Sequence, residues 1–292
     1  MKLLLILLIL LTSCEKKEPA MLMQAAQKPK TKLSVEEKSY EHIIYKWDPL
    51  SKESLAKRFE PHPEYTRVKC EKDSFGEWLR FLPLRPEGTK VRMFNKALKG
   101  NQTLHAAVID IDTGDKNLQQ CADAIMRLRS EYLLSIGKLP SISFNFTSGH
   151  AARWTDWMRG LRPVVRGNSV SWKAKAKRDT SYAQFRSYLN TVFMYAGTLS
   201  LAKEVKRTND PKPGDIFIQG GSPGHAVIIL DVCENKDGQK MLMLAQSYMP
   251  AQDMHILKNM NEPQLGVWHR WNPGQNFPTA EWKFKSSDLR KF

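Results

Sequence analysis

GGSPGHAVIILDV (residues 220–232) decides how this chain is read. The run Ala226-Val227-Ile228-Ile229-Leu230 is continuously apolar and β-branched, which is the composition of a strand covered on both faces. Such a strand needs no imidazole, yet His225 stands at its mouth, delivered by the turn Ser222-Pro223-Gly224. Upstream, NDPKPGDIFI (209–218) is a turn entering another strand. Downstream, the turn ENKDGQK leads into MLMLAQSY, an antiparallel hairpin partner. A turn centred near Lys236-Asp237 places Gln246 opposite Val227 and diagonal to His225, within reach of a long side chain. A slip of one residue would turn Gln246 to the other face.

Helices flank this sheet. Residues 118–136 carry Ile125, Leu128, Tyr132 and Ile136 at spacings of three and four. Ser181-Tyr182-Ala183-Gln184 has capping-box form, and Phe185, Leu189, Val192, Ala196 and Leu199 continue one face after it. HAAVIDID (105–112) and SISFNFTSG (141–149) read as strands, and Trp154 and Trp157 as one turn of a core helix. Asp215 and Asp231 read as turn or strand-end residues. The aromatic C-terminal stretch is expected to pack back on the sheet edge. The mixture defines an α+β class, and without an internal linker residues 59–292 are expected to form one domain.

The N-terminus reads differently. MKLLLILLILLTSC has one lysine and an apolar run too short to cross a bilayer. Residues 1–13 are expected to be a signal peptide. Leu11-Thr12-Ser13-Cys14 resembles the bacterial lipobox, which implies lipidation of Cys14 and anchorage of the mature chain in a membrane. An ordinary signal peptide with a chance cysteine is the alternative. Glu15 offers no inner-membrane retention signal, so the expected place is the bacterial cell envelope, at the outer membrane. Residues 14–58 are polar, Lys-rich and aperiodic over most of their length and read as a tether. The net charge of +15 suits an anionic envelope polymer or simply a basic surface. No nucleic-acid signature accompanies it.

Four cysteines occur, at positions 14, 70, 121 and 233. With Cys14 lipidated, three remain, and at least one thiol is unpaired. Whether Cys70 and Cys233 pair is open. Asn117-x-x-Gln120 has capping-box form and puts Cys121 in a first helical turn, where the dipole favours thiolate. A buried small hydrophobe is the equal alternative for Cys121. Taken together, a thiol at a helix start, a histidine opening a strand and a polar residue on the next strand make the nucleophile–base–orienter arrangement of cysteine hydrolases. His255 and Gln252 lack zinc-ligand spacing, and there is no Gly-rich phosphate loop or GxSxG elbow, so no metal or cofactor is expected.

At KPGDIFI and the PGH strand the chain resembles the NlpC/P60 and CHAP branch of papain-like cysteine hydrolases. The resemblance implies a papain-like (NlpC/P60-type) fold, with a nucleophile helix on an antiparallel sheet and, at residues 140–200, a large helical insertion. It implies Cys121, His225 and Gln246 as the catalytic set, with cell-wall peptide links as substrate. Ala122-Asp123 stand where that family has Ser-Gly after its cysteine, and Gln246 replaces the commoner His or Asn. LQQCADAIMRLRSEYL, GGSPGHAVIILDV and AQSYMPAQDMHIL also resemble an uncharacterised bacterial lipoprotein family, domain of unknown function 4846. The expected function is a lipid-anchored amidase or peptidase using a thiol. The alternative is a non-catalytic envelope lipoprotein that keeps the scaffold for binding or assembly.

Overall fold

The computed structural model describes residues 53–292. The expected signal peptide, Cys14 and the expected tether up to residue 52 lie outside the described residues. The last part of the expected tether is folded: helix α1 (Leu55–Arg58) has Leu55 fully buried.

The centre is strand β9 (His225–Glu234), nine of whose ten residues are buried. β9 is flanked by β8 (Ile216–Gln219) and β10 (Lys240–Gln246), both antiparallel to it. The sheet continues through β11 (His255–Leu257) to β2 (His105–Val108) on one side. On the other it runs through β15 (Leu289–Lys291) to β7 (Lys206–Arg207). Two further strands, β1 (Thr66–Arg67) on β9 and β12 (Trp268–Arg270) on β10, complete nine.

β9 is apolar on both faces because two cores meet it. Ala226, Ile228 and Leu230 join the larger core, beneath helices α2 (Phe75–Arg80) and α3 (Cys121–Ser135). Val227 and Ile229 face a smaller core built from Phe217, Trp271, Phe277 and Phe284. Phe217 and Phe277 stack with centroids 4.4 Å apart. The C-terminal aromatics therefore cover one face of the sheet as well as extending its edge, the hairpin β13 (Asn276–Pro278) and β14 (Lys283–Lys285) lying over it.

The β9–β10 hairpin contains one irregularity that matters to the site. Met243 pairs with Asp231, but Leu244 pairs with Ile229, so Leu230 is an extra residue in a β-bulge. Beyond the bulge the register is Leu244↔Ile229 and Ala245↔Ile228. Continued by one step it sets Gln246 opposite Val227, on the face His225 shares. Asp231 is thus inside the strand rather than at its end. It is fully buried at the bulge, where Arg67 Nε (2.7 Å) and Arg80 Nε (2.8 Å) each donate to its carboxylate. Asp215 is a turn residue, its carboxylate accepting the Lys212 N–H.

Residues 140–200 are not chiefly helical. They hold two hairpins, β3 (Ser143–Asn145) with β4 (Ala151–Arg153) and β5 (Leu161–Arg166) with β6 (Ser169–Ala174). They also hold helices α4 (Trp154–Met158), α5 (Tyr182–Tyr195) and the start of α6 (Thr198–Glu204). Ser181 caps α5 through the Gln184 N–H. The expected single face through Leu199 breaks at Ala196, where the backbone becomes extended, and Leu199 on α6 is exposed. Trp154 and Trp157 are core residues, Trp154 packing on Phe185 and Tyr188. Cys70, Cys121 and Cys233 all carry free thiols.

Candidate functional site

Cys121 is the first residue of α3, but the cap differs from the expected one. Gln120 is the N-cap, and its N–H donates to the Asp123 carboxylate at 3.1 Å. Asn117 instead uses its Oδ1 to accept from Gln120 Nε2 (3.2 Å) and from the Ala251 N–H (2.7 Å). Asp123 wins the cap because a carboxylate at the third helical position can reach back to the N-cap amide.

The thiol lies where α3 meets β9: backbone N–H groups of Ala122, Ala226 and Cys121 itself all favour its thiolate. They do not prevail. Burial, followed by the Asp123 carboxylate, pushes the Cys121 thiol up to about 11. The expectation of a helix-lowered thiol is therefore corrected: desolvation of the half-buried Cys121 outweighs the helix terminus. Asp123 is itself buried, and the same loss of water raises its carboxyl well above the usual range.

His225 enters β9 with 2 % of its surface exposed. Its Nε2 lies 2.9 Å from Gln246 Oε1. Tyr248, Trp282 and Phe284 surround the ring, with centroids at 4.7, 5.2 and 6.0 Å. Burial lowers the imidazole to about 4, against smaller opposing effects of the Gln246 bond and Glu281. Gln246 is fully buried and makes a second bond, Nε2 donating to Glu281 Oε2 at 2.6 Å. Lys99 Nζ stands 2.5 Å from the same oxygen.

Cys121 and His225 line one cavity of about 590 Å³. Its floor is the 221–224 turn, and Phe193, Gly197 and Thr198 at the α5–α6 junction form one wall. Tyr248, Met249 and Trp282 form another. A slightly larger cavity of about 630 Å³, between Phe59, Leu265 and Trp268, has no cysteine or histidine in its lining.

The structure thus sets Cys121 and His225 in the lining of one cavity and Gln246 against His225, from three elements spread over 126 residues of chain. It does not bring His255 or Gln252 into the cavity lining. His255 is fully buried, with Nδ1 on the Asp253 carbonyl at 2.9 Å. Among the described residues no group of three or more His, Cys, Asp or Glu side chains could hold a metal ion. Sequence reasoning missed Lys99, Glu281 and Trp282. Nothing local marks them, since Lys99 and Glu281 meet only through the tertiary fold.

These elements define a mixed α+β protein with a large antiparallel sheet and few helices, carrying a thiol and an imidazole in one cleft. The family model for domain of unknown function 4846 matches residues 55–291, and the chain belongs to that family. No curated protein and no solved structure matches it. No helix among the described residues is long and apolar enough to cross a membrane.

Proposed function

We propose that this protein is a papain-like cysteine hydrolase of amide bonds, held in the bacterial cell envelope by lipid on Cys14 and acting on wall peptide. The observation that carries this reading is the shared cavity: Cys121 at a helix start and His225, backed by Gln246, line the same cleft. The chemistry follows from the protonation states. A thiol near 11 and an imidazole near 4 are both neutral at pH 7. The pair therefore works by general-base catalysis rather than as a preformed ion pair. His225 Nδ1 takes the thiol proton as Cys121 Sγ bonds to the carbonyl carbon, and the Cys121 N–H meets the developing oxyanion. The proton passes to the leaving amine as the C–N bond breaks, leaving a thioester. Water, deprotonated by His225, then releases the acid and frees the thiol.

A second reading has one observation in its favour. Burial and the neighbouring Asp123 push the Cys121 thiol up to about 11, away from the thiolate form at pH 7. That suits a binding or assembly protein that keeps the scaffold without the activity. Hydrolysis of short wall-peptide amides separates the two. The hydrolase reading expects turnover that Cys121→Ala and His225→Ala each lower by about a thousandfold or more. Turnover absent in the wild type, or unchanged in Cys121→Ala, overturns it.

A further inference from the structure

The Gln246 amide has two ends and two neighbours, and its direction decides which nitrogen of His225 is the base. If Oε1 faces the ring, Nε2 carries the proton and Nδ1 has the lone pair. If the amide is reversed, Nε2 accepts and Nδ1 is protonated, which leaves the ring unable to act as a base through Nδ1. Gln246 and His225 alone do not choose, because either arrangement makes one hydrogen bond.

The choice comes from outside the trio. The Glu281 carboxylate can only accept, and it lies 2.6 Å from Gln246 Nε2. A reversed amide would set carbonyl oxygen against carboxylate oxygen at that distance. Lys99 reaches the same Oε2 at 2.5 Å, and both side chains are largely buried, at 11 % and 18 % exposure. The ammonium holds the carboxylate in place. Both residues arrive by tertiary packing: Glu281 sits in the β13–β14 turn beside Trp282, and Lys99 in the loop before β2.

We infer that the Lys99–Glu281 ion pair is a positioning device that locks the Gln246 amide and so holds His225 as its Nε2–H tautomer, with Nδ1 free. Its part in catalysis rests on the hydrolase reading above; the tautomer lock itself does not. A charge-assisted hydrogen bond biases the amide direction by about ten- to a hundredfold.

The test reads the tautomer directly, without substrate. Imidazole 15N shifts of the histidines are recorded at pH 7 and assigned by loss of signal in His225→Asn. The wild type is expected to show His225 with a protonated Nε2 and a lone-pair Nδ1. The paired variant Lys99→Met with Glu281→Met removes the ion pair without leaving a buried charge. It is expected to shift the tautomer ratio by about tenfold or more toward Nδ1–H. Glu281→Gln, which can still turn an oxygen to Gln246, retains most of the Nε2–H form. An Nδ1–H majority in the wild type overturns the inference. So does an unchanged ratio in the paired variant whose thermal unfolding shows it folded. If the paired variant does not fold, Glu281→Ser, too short to accept from Gln246, replaces it with the same expected shift. A protein that shows the lock and hydrolyses nothing would refute the proposed function and leave this inference standing.

Discussion

His225 gives the sharpest quantitative expectation. Its imidazole is lowered from 6.5 to about 4, chiefly because burial strips water from the charged form. In the unfolded chain it titrates normally. A histidine lowered on folding contributes stability in full above pH 6.5, and that contribution is lost as pH falls toward 4, where the unfolded state alone takes up the proton. The whole displacement corresponds to about 3 kcal/mol, of which about 2 kcal/mol is lost by pH 5. Other groups oppose it, since Asp215 is pushed up to about 7 by burial and its neutralisation relieves the fold in the same range. The measurement is therefore a double difference: urea unfolding of wild type and His225→Asn at pH 7.5 and pH 5. The wild type should lose about 2 kcal/mol more than the variant over that interval. An NMR titration of the ring should find no midpoint near 6.5. Under the proposed function, the acid limb of kcat/KM should fall near pH 4 as well. Equal losses in the two proteins, with a ring midpoint near 6.5, would refute the burial argument and the neutral-pair mechanism with it.

Other perturbations test the surrounding construction. Asp123→Asn removes a charge that raises the Cys121 thiol, so the pH midpoint for iodoacetamide labelling of Cys121 should fall below that of the wild type near 11. In Gly224→Ala the new Cβ would stand 2.6 Å from the Gly221 carbonyl and 2.8 Å from that of Gln219. The turn that delivers His225 must shift, and labelling kinetics and the His225 shifts should change together. Asp231→Ala leaves Arg67 and Arg80 facing an empty bulge and should cost about 3–5 kcal/mol in denaturant unfolding. Trp154→Ala opens a void against Phe185 and Tyr188 and should cost about 3–5 kcal/mol by the same assay.

Much of this architecture is legible along the chain. The apolar run after His225 specifies a strand buried on both faces, because five consecutive apolar residues leave no polar side to turn to water. ENKDGQK between two such runs specifies the hairpin, and a residue count across it brings Gln246 beside His225. The count succeeded although the outer half of the ladder is offset by one. The bulge at Leu230 absorbs that offset before the site is reached. The capping signal likewise places Cys121 in a first helical turn, although the helix begins three residues later than the Asn117 cap implies. These are local matters, governed by side-chain period, turn chemistry and capping.

What the tertiary structure alone decided is how the site is charged. Position in a helix suggests a lowered thiol; enclosure between α3, β9 and Asp123 raises it instead, since desolvation depends on everything packed nearby and on no single neighbour in sequence. The expected insertion reads as helical from its Ser181 cap and Trp pair, yet it also holds two hairpins. Its value to the site is the wall it lends at Phe193–Thr198. The Lys99–Glu281 pair spans 182 positions and has no periodic or motif signature. Sequence determined by itself the type and order of the site's elements, because those follow from short-range backbone and side-chain preferences. Whether His225 is neutral, and which way Gln246 faces, follow from long-range burial and ion pairing, which exist only once the chain has folded.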